Sequence, residues 1–198
     1  MKLIKPKFWE KKDSLISIVL IPIAIILQIV MRLKNLIIHP KTFKIPVVCV
    51  GNIYIGGTGK TPLCILIAKE IKKNKKKPAI IKKFYLSHKD EHLLIKNNIE
   101  CLYLNKSRTS AIVEAEKDSC EIAVLDDGFQ DNSIRKDLNI ICFNSRQSAG
   151  NERTFPAGPL RESLDSLKKA DIVLINGEKN ISFEKKILNV SNKIEIFY

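Results

Sequence analysis

The chain has 198 residues, 34 Lys/Arg against 21 Asp/Glu, a formal net charge of +13 and 45% hydrophobic residues, which suits one α/β domain with a real core. Five widely spaced cysteines (Cys49, Cys64, Cys101, Cys120, Cys142) form no CxxC pair, which excludes a zinc knuckle or a disulfide framework and fits a reducing compartment. The positive charge is uneven: residues 1–48 hold nine Lys/Arg against Glu10 and Asp13, over half of the excess.

Those charges flank an apolar segment, Leu15 to Met31, interrupted by Pro22 and Gln28. A basic surface serves nucleic acid or an anionic membrane. Without interleaved stacking aromatics, the expected partner is the membrane, not nucleic acid. A spanning helix needs about 20 apolar residues, and positive charge on both sides sets no orientation. No small-residue cleavage site follows, so a cleaved signal peptide is not expected. The segment reads as a helix lying in the cytoplasmic face of a bilayer, the alternative being a buried core helix.

After His39-Pro40-Lys41 the pattern changes to a βα rhythm. Ile45–Val50 reads as a buried strand, followed by a Gly-rich turn and a helix from Lys60. Pro78–Ile81 is a second strand, Asp90–Asn97 and Ser107–Glu116 are helices, and Ile99–Leu104 is extended between them. Glu121–Leu125, Leu138–Phe143 and Asp171–Ile175 are apolar runs of strand length, with a helical stretch Leu160–Ala170 before the last. Lys193–Tyr198 is a further strand. Alternating strands and helices predict a mostly parallel sheet with helices on both faces. The expected division is a membrane-associated region 1–44 and a nucleotide-binding domain 45–198.

The sharpest motif is Gly51-Asn-Ile-Tyr-Ile-Gly-Gly-Thr-Gly-Lys-Thr-Pro62, set between an apolar strand and a helix. Glycines let backbone N–H groups turn inward around phosphate oxygens, and the helix N-terminus adds partial positive charge. Tyr54, Ile55, Gly56, Gly57, Thr58, Gly59, Lys60 and Thr61 are the expected contacts to ATP. Lys60 would reach the β- and γ-phosphates, and the Thr61 hydroxyl would ligate Mg²⁺. The strict pattern wants glycine where this chain has Tyr54. Pro62 falls in the first helical turn, where a missing N–H costs little.

The run Glu121-Ile-Ala-Val-Leu-Asp126-Asp127-Gly128-Phe129-Gln130 is an apolar strand ending in two carboxylates. In a P-loop fold, a second metal contact belongs at the carboxyl end of a neighbouring strand. One carboxylate would hold Mg²⁺ through water while the other orients a lysine or the substrate. Asp126 is the expected metal contact and Asp127 a catalytic residue, although the spacing leaves their order open. Strand-end aspartates also serve as turn formers.

With these residues in view, the chain resembles the tetraacyldisaccharide 4′-kinases of lipid A biosynthesis. Four blocks carry the resemblance in the family's order: Val50–Pro62, Asp90-Glu91-His92-Leu93-Leu94, Asp126-Asp127-Gly128-Phe129-Gln130, and Pro156-Ala-Gly-Pro-Leu-Arg161-Glu162. Members of this family are similar in lacking glycine at the Tyr54 position, and in a membrane-associated start. The resemblance implies transfer of the γ-phosphate of ATP to the 4′-hydroxyl of an acylated disaccharide 1-phosphate, at the cytoplasmic face of the inner membrane. It makes Asp90 the catalytic acid/base beside the sugar hydroxyl, with Lys60 and Mg²⁺ on the phosphates. Arg161 would contact phosphate or a lipid headgroup, or pair with Glu162 or Asp165. Oligomeric state is not implied.

The departures are specific. Where the family has Ser-Arg-Gly-Tyr-Gly after the second strand, this chain reads Lys82-Lys83-Phe84-Tyr85-Leu86, and a lysine there would supply the arginine's charge without its bidentate geometry. Asp131 stands where the family has histidine. Family members continue into a second lobe carrying a histidine thought to pair with the catalytic aspartate, and the resemblance covers only the first part of such a member. Two other readings are a membrane-bound P-loop ATPase switch and a nucleotide-binding remnant. The switch proteins carry a lysine just before the Gly-Gly pair, where this chain has Ile55, and they leave Pro156–Glu162 unexplained.

Overall fold

The computed structural model describes residues 5–85 and 89–198, and the contacts divide the chain into two compact units. One contains Met1–Ile38, Asn52–Thr58 and Ile141–Tyr198, and the other His39–Gly51 and Gly59–Ile140. Contacts therefore do not part at residue 44. Residues 5–38 pack with residues 141–198, far away in sequence.

The unit of residues 39–51 and 59–140 is built on four parallel strands: β1 (Val47–Gly51), β2 (Pro78–Lys83), β3 (Leu102–Asn105) and β4 (Ile122–Asp126). Their order is β3-β2-β4-β1, so β4 is inserted between the first two strands in sequence. Three helices cross between them: α3 (Lys60–Lys73), α4 (Lys89–Lys96) and α5 (Arg108–Lys117). Strands of this kind are covered on both faces and so read as continuous apolar runs; Val47, Cys49, Val50, Ile80, Ile81, Val124 and Leu125 are all buried. The helices bury small residues against the sheet, Cys64 and Ala68 from α3 and Ala111 and Ala115 from α5.

The other unit contains β6 (Ile172–Asn176) paired in parallel with β7 (Glu195–Phe197), and α6 (Ile181–Val190) between them in sequence. Strand β5 (Leu138–Asn144) runs from one unit into the other. Helix α6 was not expected; Asn180 caps it by accepting from the Phe183 N–H at 3.0 Å, and Phe183 meets Phe143 edge-on with centroids 5.0 Å apart. The helix expected over Leu160–Ala170 is only a short 3-10 segment, Leu164–Lys169. Its first residues are held extended, because Leu160 N donates to Arg153 O and Arg161 N to Ile53 O.

The apolar N-terminal segment is not one helix but two, α1 (Leu15–Val19) and α2 (Ile21–Leu36), with Pro22 in the first turn of the second. No helix among the described residues is long and apolar enough to cross a membrane. Its inward face carries polar and small residues. Buried Ser17 donates to Ala157 O at 2.5 Å, Gln28 donates to Arg161 O at 3.1 Å, and Ala24 is buried. Trp9 is buried as well, its indole N–H donating to Pro156 O at 3.1 Å. Leucines, isoleucines and valines point outward, with Leu15 78%, Val19 74% and Leu36 79% exposed.

Candidate functional site

Residues 52–58 form a tight turn braced from within the first unit. The buried Asn52 amide donates to Tyr54 O at 2.5 Å and Gly56 O at 3.2 Å. Tyr54 is fully buried and bridged to Leu160, while Ile55 N donates to Pro159 O at 2.8 Å. Segment 156–161 is therefore the floor on which this loop rests. Gly56 has φ +131°, a conformation L side chains rarely adopt, and Lys5 Nζ would lie 2.9 Å from a Cβ placed there. At Gly57 a Cβ would meet nothing within 4 Å, so its backbone faces open space. The Thr58 hydroxyl is buried with no hydrogen-bond partner among the described residues.

The chain continues into the second unit at Gly59, whose φ of +90° turns the backbone into α3. Lys60 and Thr61 are the first two residues of that helix, where backbone N–H groups lack intrahelical partners. Because β4 lies between β1 and β2, Asp126 at its last position faces Val50 across one ladder and Lys82 across the other. The Asp126 side chain is wholly buried, and its Oδ2 accepts from Thr61 Oγ1 at 2.9 Å and from Lys82 Nζ. Its Oδ1 is buried without a hydrogen-bond partner among the described residues.

Asp127 begins the following turn at φ +58°, its N–H donating to Val50 O at 2.9 Å. Its carboxylate lies 3.7 Å from Lys60 Nζ. Arg108, at the start of α5, ties the turn down: Nη2 donates to Asp127 O at 2.7 Å and Nη1 to Asp131 Oδ2 at 3.1 Å. Burial alone would push the Asp131 carboxyl up, but the Ser133 hydroxyl and the Arg108 guanidinium outweigh it and hold it below its ordinary value. Under the turn, a Cβ on Gly51 would sit 2.5 Å from Phe129 Cβ, so only glycine allows this approach. Burial pushes the neighbouring Cys49 thiol up to about 11.

A carboxylate and a helix-start hydroxyl are hard oxygen donors, and the unpartnered Asp126 Oδ1 adds an acceptor. The set fits Mg²⁺. Among the described residues no group of three or more His, Cys, Asp or Glu could hold a metal ion. A cation here would complete its shell with water and phosphate oxygens, as Mg²⁺ does beside nucleotides.

A family profile described as tetraacyldisaccharide-1-P 4′-kinase, LpxK, matches residues 16–196. The chain belongs to this kinase family. Among curated relatives, the tetraacyldisaccharide 4′-kinase of Pelagibacter ubique is 45% identical over 99% of this chain and 63% of its own length. That of Coxiella burnetii is 31% identical over 85% of this chain and 59% of its own. The chain thus spans under two thirds of the length of these relatives. A crystal structure of LpxK from Aquifex aeolicus in complex with ATP superposes with a TM-score of 0.70 at 25% identity, covering 81% of this chain and 59% of that one. The hydrogenase maturation factor HypB of Archaeoglobus fulgidus shares the fold alone, with a TM-score of 0.55 at 13% identity.

Within this LpxK-family chain, Lys60, Thr61, Asp126 and Asp127 converge in one unit. The two aspartates take different surroundings, Asp126 buried against Thr61 and Asp127 partly exposed towards Lys60. Tyr54 is a buried wall of the loop rather than an open contact, and the Ile55 N–H is already engaged by Pro159. Asp90 is exposed in the first turn of α4. Among the described residues no hydrogen bond or ion pair ties it to Lys60, Asp126 or Asp127. Leu86, Ser87 and His88, in the segment that departs from the family pattern, lie outside the described residues.

Arg108 was not singled out beforehand, and Lys82 only as one of two lysines that would supply the charge of the family's arginine. Lys82 continues an apolar strand into the site, and that placement is its signal: β2 is buried along its length to Lys82. Arg108 left no trace in the sequence, since an arginine opening a polar helix reads as a solvated surface residue.

Proposed function

We propose that this chain binds Mg-ATP through the loop of residues 54–61. We further propose that it serves the transfer of the γ-phosphate to the 4′-hydroxyl of a tetraacyldisaccharide 1-phosphate, in lipid A biosynthesis. The observation that carries this reading is the convergence of Lys60, Thr61, Asp126 and Asp127 at the start of α3, in a chain of the LpxK family. Gly56, Gly57, Thr58 and Gly59 would present backbone N–H groups to the phosphates. Lys60 would bind the β- and γ-phosphates, and Asp127 keeps its ammonium aimed until they arrive. Thr61 and Asp126 would hold Mg²⁺, which when bound neutralises charge on the phosphate oxygens. Asp90, exposed on α4, would take the proton of the attacking sugar hydroxyl.

The N-terminal helices support a place at the membrane surface. Two helices that turn Ser17 and Gln28 inward and Leu15, Val19, Ile26 and Leu36 outward have the reverse of the polarity expected in water. An acyl layer would cover that outer face, and the flanking lysines suit anionic headgroups. We place this surface at the cytoplasmic face of the inner membrane, where ATP is available.

The test is transfer of labelled phosphate from ATP to a tetraacylated disaccharide 1-phosphate, comparing this chain with Lys60→Ala. Transfer that disappears in the variant is the expected result. ATP turnover that is indifferent to the lipid acceptor would count against the kinase reading.

A further inference from the structure

Lys82 and Asp126 are register partners on adjacent parallel strands, and both side chains are almost entirely buried. The Lys82 ammonium donates to the same Asp126 oxygen, Oδ2, that accepts the Thr61 hydroxyl. A cation is thus built into the position where Thr61 and Asp126 would meet a metal. A second pair stands beside it, Lys60 with Asp127 at 3.7 Å. The four charged side chains cancel two by two, so the bare site offers a free dication little net attraction.

We propose that Lys82 is an internal counter-cation that competes with the divalent metal for Asp126, so that metal enters this site only together with nucleotide phosphates. The inference rests on reading Thr61 and Asp126 as the metal contacts. Its logic is electrostatic. An ammonium on a buried carboxylate oxygen satisfies the charge that would otherwise recruit Mg²⁺, and a dication brought to the same carboxylate is repelled by the ammonium. Phosphate oxygens add the negative charge that tips the balance. The unpartnered Asp126 Oδ1 leaves one acceptor position for the metal while Lys82 stays on Oδ2. Such an arrangement keeps the site from filling with metal in the absence of substrate.

Mn²⁺ is the probe, with free ion counted by its electron paramagnetic resonance signal in solutions of the full chain. Without nucleotide, the wild type should show no site tighter than about 1 mM. Lys82→Met and Lys82→Gln, the second keeping a donor for Asp126, should each bind Mn²⁺ at least tenfold more tightly. Adding Asp126→Asn to either should abolish the gain. A submillimolar nucleotide-free site in the wild type would overturn the proposal, and so would Lys82 variants that fold but bind no tighter than wild type. Circular dichroism melts establish folding, and a submillimolar site in the wild type overturns the proposal even if both variants unfold. The underlying metal assignment is tested separately, by ATP-dependent Mn²⁺ uptake in wild type and Asp126→Asn. Uptake that survives in Asp126→Asn overturns the assignment and this proposal with it. Uptake that is lost while Lys82 variants gain nothing overturns the proposal alone.

Discussion

Arg108 Nη2 donates to the main-chain carbonyl of Asp127 at 2.7 Å, while Nη1 of the same guanidinium pairs with Asp131. A single side chain on α5 thereby holds the turn that carries the carboxylate facing Lys60, a turn whose first residue has positive φ and needs outside support. Arg108→Ala should cost about 1–3 kcal/mol of stability, because a buried charged hydrogen bond is lost and Asp131 keeps no guanidinium partner. Denaturant unfolding measures this. Asp131, held below its ordinary pKa, contributes stability that is present above the ordinary carboxylate range and fades as pH falls through the depressed value. The variant should lose part of that acid-side dependence.

Cys49 lies buried beneath Gly128, and its thiol is raised from 9.0 to about 11. Between those values the unfolded chain gives up the thiol proton and the folded chain keeps it, so stability falls as pH rises. The loss should reach about 2 kcal/mol by pH 11 and be absent in Cys49→Ala, measured by urea unfolding across that range. In the native protein at pH 8, Cys49 should resist alkylation that modifies the more exposed Cys101.

Gly51→Ala should destabilise the protein by about 1–3 kcal/mol, since the added methyl would press on Phe129 Cβ at 2.5 Å. Phe129 belongs to the turn that follows Asp126-Asp127, so ATP binding, read by calorimetry, should weaken alongside the melting temperature. Unchanged affinity in the folded variant would show that the two ends of this strand pair are not coupled.

The outer face of the N-terminal helices can be separated from the inner one. Ile26→Glu places a charge on an exposed apolar position and should reduce co-sedimentation with anionic vesicles, while stability in detergent stays within about 0.5 kcal/mol. Ser17→Ala removes a buried hydroxyl that donates to Ala157 O and accepts from Asn151 at 2.9 Å and Arg153 at 2.8 Å. It should cost about 1–3 kcal/mol and leave vesicle binding of the folded protein intact. Equal loss of vesicle binding in both variants would remove the distinction between the faces.

The parallel strands, the phosphate-binding turn and the strand-end aspartates were legible because each is a local pattern. Apolar runs of strand length, glycines between a strand and a helix, and carboxylates at a strand end are dictated by backbone sterics and by burial on both sheet faces. Helix α6 escaped notice because its start signal is one asparagine cap, and Leu160 and Arg161 looked helical because their extended shape is imposed by hydrogen bonds they donate to the distant carbonyls of Arg153 and Ile53. The sequence also showed an apolar segment between positive charges, but it could not show that Ser17 and Gln28 turn inward. Only the tertiary structure decided which aspartate meets Thr61 and which meets Lys60, because that follows from strand order: β4 inserted between β1 and β2 sets Asp126 against Val50 on one side and Lys82 on the other. Residues 44 positions apart in the chain become neighbours through sheet register, a long-range pairing to which local sequence pattern is blind.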